Sequence, residues 1–170
     1  MATLLLILIY IAFISLGLPD AILGSAWPVL HQELGVSVSW AGILSTIVSA
    51  GTIVSSFFSG KLIEKFGTGR VTAVSVAMTA AGLWGYCLSS GFFWLCLLAV
   101  PLGVGAGAVD SALNNFVALH YEARHMSWLH CFWGIGATAG PYIMGLCLAR
   151  GLRWNFGYMS VGIIQVVLVA

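Results

Sequence analysis

The amino-acid sequence predicts an all-α integral membrane protein with six transmembrane helices, and three observations predict it. Of the 170 residues, 61% are apolar and only 6% are charged, and the mean hydropathy is +1.06. The apolar residues fall into six segments separated by short polar breaks. Soluble domains carry about a quarter charged residues, so a lipid bilayer must be the solvent for most of this chain. The net charge of +1 provides no basic face, and no nucleic-acid partner is expected.

Each segment is read as a spanning helix because a span needs about 20 apolar residues. The segments are residues 3–29, 40–64, 70–89, 92–118, 126–148 and 156–170. The last one is shorter than the others and has no polar end. We therefore expect residues 1–170 to form an N-terminal transmembrane bundle whose sixth helix is truncated, with a C-terminal bundle absent from this chain.

Basic residues and tryptophans predict the orientation. With a cytoplasmic N-terminus, the inside loops carry Lys61, Lys65, Arg70 and Arg124, and the outside loops carry Arg150 and Arg153. Because positive charge favours the inside, we expect a multi-pass protein of the cell membrane with its N-terminus in the cytoplasm. Interfacial anchors are expected near the helix ends, at Trp27, Trp40, Trp94 and Trp154.

A faint internal repeat relates the first three helices to the last three. Gly17-Leu-Pro-Asp20 is similar to Gly107-Ala-Val-Asp110, and the same offset of 90 residues relates Gly67 to Gly157. Three helices per unit is an odd number, so the second unit must be inverted in the membrane. Inverted three-helix repeats are typical of transporters.

Two carboxylates, Asp20 and Asp110, lie inside apolar spans. An ionisable group there is costly and usually faces a cavity. Burial favours the neutral acid, and a carboxyl that gains and loses a proton is what proton coupling requires. Two structural alternatives stay open: Asp110 as a hydrogen-bonding group between helices, and Asp20 as the cap of a helix that restarts after Pro19.

Polar side chains near these carboxylates extend the candidate site. Asn114 lies four residues after Asp110, on the same helical face, with Asn115 beside it. His130 is flanked by Trp128 and Trp133, aromatic platforms suited to a sugar ring. An interhelical hydrogen bond for Asn114 and a core position for His130 are the alternatives.

Covalent chemistry is not indicated. The four cysteines and four histidines do not stand at metal-binding spacing, and no phosphate-binding glycine loop or catalytic triad is evident. We expect no metal, no cofactor and no enzyme activity.

The segment Gly60-Lys-Leu-Ile-Glu64-Lys65-Phe-Gly67-Thr-Gly-Arg70 resembles the loop signature of the major facilitator superfamily, Gly-x-x-x-Asp-Arg-x-Gly-x-x-Arg/Lys. We expect Gly60 to permit close helix approach, Glu64 to pair with a cation and Gly67 to make the turn. Glu64 and Lys65 depart from the usual Asp and Arg, which weakens any gating charge network. The resemblance implies half of a twelve-helix fold, and Gly136–Pro141 is similar to the superfamily's glycine-proline motif in the fifth helix.

Within the superfamily the sequence is most similar to the fucose-type sugar:proton symporters, through Leu-Pro-Asp20-Ala-Ile-Leu, Asp110-Ser-Ala-Leu-Asn114 and the stretch from Trp128. The resemblance implies proton-coupled symport by alternating access, with Asp20, Asp110 and His130 at the solute and proton site and Asn114 adjacent. Asp110 replaces a typical Glu, and His130 replaces a Gln. The alternatives are a uniporter or antiporter of another solute, or a half-length membrane subunit that does not transport.

Overall fold

The computed structural model describes residues 2–169, with side chains for residues 4–167, and this part of the chain is almost entirely helical. Its α-helices are Ala2–Asp20 (α1), Ile22–Glu33 (α2), Ala41–Phe66 (α3), Thr68–Leu88 (α4), Phe92–His120 (α5), Ala123–Ala149 (α6) and Trp154–Val169 (α7). A short 3-10 helix precedes α3, and residues 2–169 contain no strand. Five stretches are long and apolar enough to span a bilayer, the first formed by α1 and α2 together. Helices suit lipid because they satisfy their own backbone polar groups.

The helices coincide with the six predicted segments, apart from some ends and one break. The first predicted segment, 3–29, is two helices interrupted at Ala21, and it continues to Glu33. Pro19 lies two residues before the break and still inside α1, where its missing N–H weakens the last turn of that helix. The fifth segment begins at Ala123 rather than at residue 126. The predicted end of the sixth segment, residue 170, lies outside the described residues.

Glycines set the distance between α1 and α6. A Cβ on Gly136 would lie 2.1 Å from the carbonyl oxygen of Ile14, and a Cβ on Gly140 would lie 2.0 Å from another carbonyl oxygen of α1. From the other side, a Cβ on Gly17 would lie 2.2 Å from the carbonyl oxygen of Trp133. The two backbones are therefore in direct contact, as small residues allow in membrane helices.

The crossing of α3 with α5 is built in the same way. A Cβ on Gly103 would lie 2.2 Å from the carbonyl oxygen of Val48, and one on Gly107 would lie 2.4 Å from that of Thr52. The first span thus packs on the fifth and the fourth on the second, which is the exchange of partners that an inverted repeat requires. Gly17 and Gly107, at matching repeat positions, both lie at these crossings.

Two of the four tryptophans expected at the membrane interface are inside the bundle. Trp27 and Trp154 are buried, and Trp27 donates its indole N–H to the carbonyl oxygen of Val38 at 2.8 Å. The interfacial prediction is therefore wrong for both, because each ring packs against neighbouring helices. Trp40 and Trp94 are exposed.

A polar cluster joins one end of α2 to the start of α7. The guanidinium of Arg153 pairs with the carboxylate of Glu33, which also accepts the indole N–H of Trp154 at 2.5 Å. Next to it, the amide of Asn155 donates to the carbonyl oxygen of Cys87 at 2.6 Å. The ends of α2, α4 and α7 are held together at this side of the bundle.

Candidate functional site

Asp20 is the last residue of α1, next to the break in the first span. Its Oδ2 accepts the indole N–H of Trp133 from α6 at 2.7 Å, and the residue is exposed. The close crossing at Gly17 brings the two side chains together. The capping alternative for Asp20 is wrong, because the residue that caps α2 is Ala21 and it makes no side-chain capping bond.

Asp110 and Asn114 form a local pair on α5. The amide nitrogen of Asn114 donates to Oδ1 of Asp110 at 2.9 Å and to its carbonyl oxygen at 3.0 Å. Both residues are partly buried, while Asn115 is exposed. The spacing of four residues places them on one helix face, as expected from the sequence. The amide oxygen of Asn114 is buried without a hydrogen-bond partner among the described residues.

His130 is exposed on α6, and its Nδ1 is bonded to the carbonyl oxygen of Met126 at 2.9 Å. Since a carbonyl can only accept, Nδ1 is the donor in this hydrogen bond. The ring centroid lies 6.4 Å from that of Phe13. Of the two flanking tryptophans, Trp133 is bonded to Asp20, whereas Trp128 lies near Phe132 with ring centroids 6.3 Å apart.

The candidate residues share an electrostatic neighbourhood but not one cavity. Asp20 is within electrostatic reach of Asp110, and Asp110 of His130. A cavity of about 730 Å³ lies between α2 and α3 and is lined by Asp20, but not by Asp110, Asn114 or His130. Asp20 is therefore the one predicted site residue that borders it. Among the described residues that line this cavity, it is also the only charged one.

The cavity is lined by polar residues that the sequence reasoning missed. Three lie on α3, and two tyrosines come from α4 and α7: Ser45, Ser49, Thr52, Tyr86 and Tyr158. The three α3 residues are spaced four and three apart, which places them on one helical face. That spacing was a usable signal in the sequence. The tyrosines carried none, because they come from helices separated from the first span by long stretches of chain.

The loop between α3 and α4 turns at Gly67. Its φ of +80° favours glycine, and its N–H donates to the carbonyl oxygen of Ile63 at 2.8 Å. The close helix approach expected at Gly60 is not found among the described residues, where a Cβ on Gly60 would meet nothing within 4 Å.

The charged residues of this loop are exposed. The ammonium of Lys65 lies 5.3 Å from the centroid of the neighbouring Phe66 ring. Glu64 and Arg70 are not members of the ion pairs found among the described residues, which are Arg124–Glu122 and Arg153–Glu33. The cation partner expected for Glu64 is therefore not found among the described residues.

Together, the apolar helices, the close glycine crossings and the carboxylates inside the spans define a multi-pass membrane protein of the transporter-bundle type. A sequence model of the family described as Major Facilitator Superfamily matches residues 9–170. The chain belongs to the major facilitator superfamily, a family of membrane transporters.

Individual relatives agree with this membership. The chain is 31% identical over 151 residues to Synaptic vesicle glycoprotein 2C of Rattus norvegicus, covering 85% of this chain and 20% of that protein. It is 28% identical over 152 residues to Synaptic vesicle glycoprotein 2B of Homo sapiens, covering 87% and 22%. It is 27% identical over 150 residues to Synaptic vesicle glycoprotein 2A of Bos taurus, covering 86% and 20%. The chain spans about a fifth of the length of these relatives.

Proposed function

We propose that the full-length protein carries a sugar or a similar small polar solute together with protons, by alternating access. This chain supplies the N-terminal bundle, and a C-terminal bundle completes the solute site at their interface. The observation that carries the proposal is Asp20, a carboxylate in an apolar span that borders a large cavity. A carboxylate exposed within a span is costly in lipid, so a water-filled cavity or a second bundle must cover this face.

The two carboxylates have different tasks in this proposal. Asp20 contacts the solute, because its side chain borders the cavity together with the hydroxyls of Ser45 and Ser49. Asp110 carries the proton, because its partner Asn114 lies on the same helix and moves with it. His130, exposed on α6, supplies its ring as a further polar group.

The membrane topology belongs to the proposal as well. The N-terminus is in the cytoplasm of a cell-membrane protein, as the basic loops predict. The exposed charges Glu64 and Lys65, at the end of α3, and Arg70, in the first turn of α4, then lie on the cytoplasmic side. There they pair with the C-terminal bundle as the two halves rock.

The experiment measures uptake of a panel of labelled sugars into vesicles that contain the full-length protein. Wild type should accumulate a sugar only under an inward proton gradient. Asp110→Asn should lose accumulation but keep exchange of the same sugar, whereas Asn115→Ala, a neighbouring exposed position, should behave as wild type. Equal gradient-driven accumulation by Asp110→Asn would remove Asp110 as the proton carrier.

A second candidate is exchange of a cationic solute for protons. The observation that favours it is the charge of the cavity, since Asp20 is the only charged group among the described residues that line it. An ammonium and a proton would then compete for the same carboxylate. Two results together would establish this function instead. A labelled amine should enter the vesicles under an outward proton gradient, and no sugar should enter under a proton gradient of either direction.

A further inference from the structure

The cavity beside Asp20 has an apolar wall, to which α2 and the residue before it contribute. The residues of this wall are Ala21, Leu23, Gly24, Trp27 and Pro28. The polar groups of the same stretch are already bonded within the protein: Ser25 donates its hydroxyl to one backbone carbonyl oxygen at 2.9 Å, and Trp27 donates its indole N–H to another at 2.8 Å. From Ala21 to Pro28 the wall runs about 10 Å along the helix, at roughly 1.5 Å per residue, which is longer than one sugar ring.

The groups that can bond a solute lie across the cavity and at its α1 end. Ser45 and Ser49 belong to α3, Asp20 ends α1, and all three line the cavity and are exposed. Thr52 lines it as well, but its hydroxyl is donated to backbone carbonyl oxygens of α3 and α5. The cavity is therefore polar on its α3 side and apolar on its α2 side.

A solute that fits both sides has hydroxyl groups on one part and a hydrocarbon group on the other. The carboxylate of Asp20 accepts hydrogen bonds, and serine hydroxyls both donate and accept. Because Trp133 already donates to Asp20 at 2.7 Å, part of the carboxylate's charge is met inside the protein, and neutral hydroxyls can complete its hydrogen bonds. A second sugar ring would leave hydroxyls without partners against the apolar wall, which is costly, whereas a hydrocarbon group gains from leaving water.

We propose that the solute is a glycoside, with a sugar unit held by Asp20, Ser45 and Ser49 and an apolar aglycone packed along α2. This inference rests on the proposed function and deepens it by naming the class of sugar. Gly24 lies in the middle of the apolar wall, is exposed, and a Cβ on it would meet nothing within 4 Å. The open space beside Gly24 receives the aglycone.

The test measures how well the methyl and phenyl glycosides of the transported sugar inhibit its uptake into vesicles that contain the full-length protein. In wild type, the phenyl glycoside should inhibit at a concentration roughly tenfold lower than the methyl glycoside, because its ring leaves water against the wall. In Gly24→Leu the new side chain fills the space, so this ratio should fall to about one. Gly24→Ser, which fills less of the space, should lower the ratio part of the way and serves if the leucine variant does not fold.

Two further variants locate the effect. Gly145→Leu is the matched control, because a Cβ on Gly145 also meets nothing within 4 Å and the residue, on α6, does not line this cavity. It should keep the wild-type ratio. Ser49→Ala should weaken inhibition by both glycosides by the same factor, since it removes a contact to the sugar unit that they share.

Equal inhibition by the two glycosides in wild type would overturn the inference and leave the proposed function standing. A phenyl advantage that persists in Gly24→Leu and Gly24→Ser would also overturn it, because the advantage would then come from the bilayer and not from the α2 wall. Absence of uptake of every sugar by wild type would instead overturn the proposed function. Thermal unfolding of the full-length protein with the same glycosides then decides the inference: stronger stabilisation by phenyl than by methyl glycosides that is lost in Gly24→Leu supports the wall, and no stabilisation by any glycoside overturns it.

Discussion

A single methyl group at the crossing of α1 and α6 should separate the two helices and release Asp20. In Gly136→Ala the new Cβ would lie 2.1 Å from the carbonyl oxygen of Ile14, and real Cβ atoms essentially never approach closer than 3.0 Å. The backbones must therefore move apart by about 1 Å, since neither side has a flexible group that can yield. Overpacking of this kind costs roughly 1–3 kcal/mol. The same shift takes the 2.7 Å bond between Trp133 and Asp20 out of hydrogen-bonding range.

The assay pairs thermal unfolding of the purified full-length protein with uptake in vesicles. Gly136→Ala should lower the Tm by roughly 2–4 °C for each kcal/mol of unfolding free energy lost, and it should reduce uptake. Gly134→Ala is the matched control on the same helix, because a Cβ there meets nothing within 4 Å. It should leave uptake unchanged and should not lower the Tm, since alanine is the better helix former.

A double-mutant comparison separates loss of the hydrogen bond from general loss of packing. If Gly136→Ala impairs uptake by breaking the Trp133–Asp20 bond, then adding Trp133→Phe should cost little further uptake. Additive losses in the double variant would refute this reasoning, as would a Gly136→Ala protein that matches Gly134→Ala in both Tm and uptake.

Three further predictions concern the ends of the helices. Gly67→Ala should destabilise the protein by roughly 1–3 kcal/mol, because its φ of 80° with ψ of 152° is essentially restricted to glycine. Gly69→Ala, at a position with open space and no positive φ, should not destabilise it, and the Tm values of the two variants check this. Glu33→Gln should change the Tm little, since its pair with Arg153 is exposed, and a large loss would show that the cluster does more than an exposed ion pair. In a cysteine-free background, a membrane-impermeant maleimide added to intact cells should label Arg153→Cys and not Lys65→Cys, and the reverse pattern would invert the topology.

The spans could be predicted from the sequence because lipid imposes a simple rule on composition and length. Every long apolar segment between polar breaks became a helix, and most ends agree within two residues. The break at Ala21 was foreseen only as an alternative beside Pro19. A proline can kink a helix or end it, and the choice depends on neighbouring helices that the sequence does not show.

The contacts of the candidate site could be predicted only between residues that are close together in the sequence. Asp110 and Asn114 are four residues apart, so helical geometry alone brings them together. The bond between Trp133 and Asp20 joins residues 113 positions apart, and it depends on which helices cross. For the same reason, no sequence pattern indicated that Tyr158 shares a cavity with Asp20.

Asp20 and Asp110 occupy equivalent repeat positions, but their hydrogen-bond donors come from different places. The donor to Asp110 is Asn114, on its own helix, so this bond is kept when α5 moves as a rigid body. The donor to Asp20 is Trp133, on another helix, so this bond depends on the distance between α1 and α6. In the proposed transport cycle, a solute in the cavity would compete with Trp133 for the carboxylate of Asp20, whereas Asp110 would keep Asn114 as its donor.

This difference yields a prediction for two substitutions, each of which removes the hydrogen-bond donor to one carboxylate. Trp133→Phe should change KM for the solute and leave the pH profile of uptake unchanged. Asn114→Ala should leave KM nearly unchanged and alter the pH profile of uptake, because the carboxylate of Asp110 loses its hydrogen-bond donor. Uptake kinetics measured across pH in vesicles distinguish the two. If both variants shift the pH profile equally, then the carboxylates act as one coupled pair and the division of tasks between them is wrong.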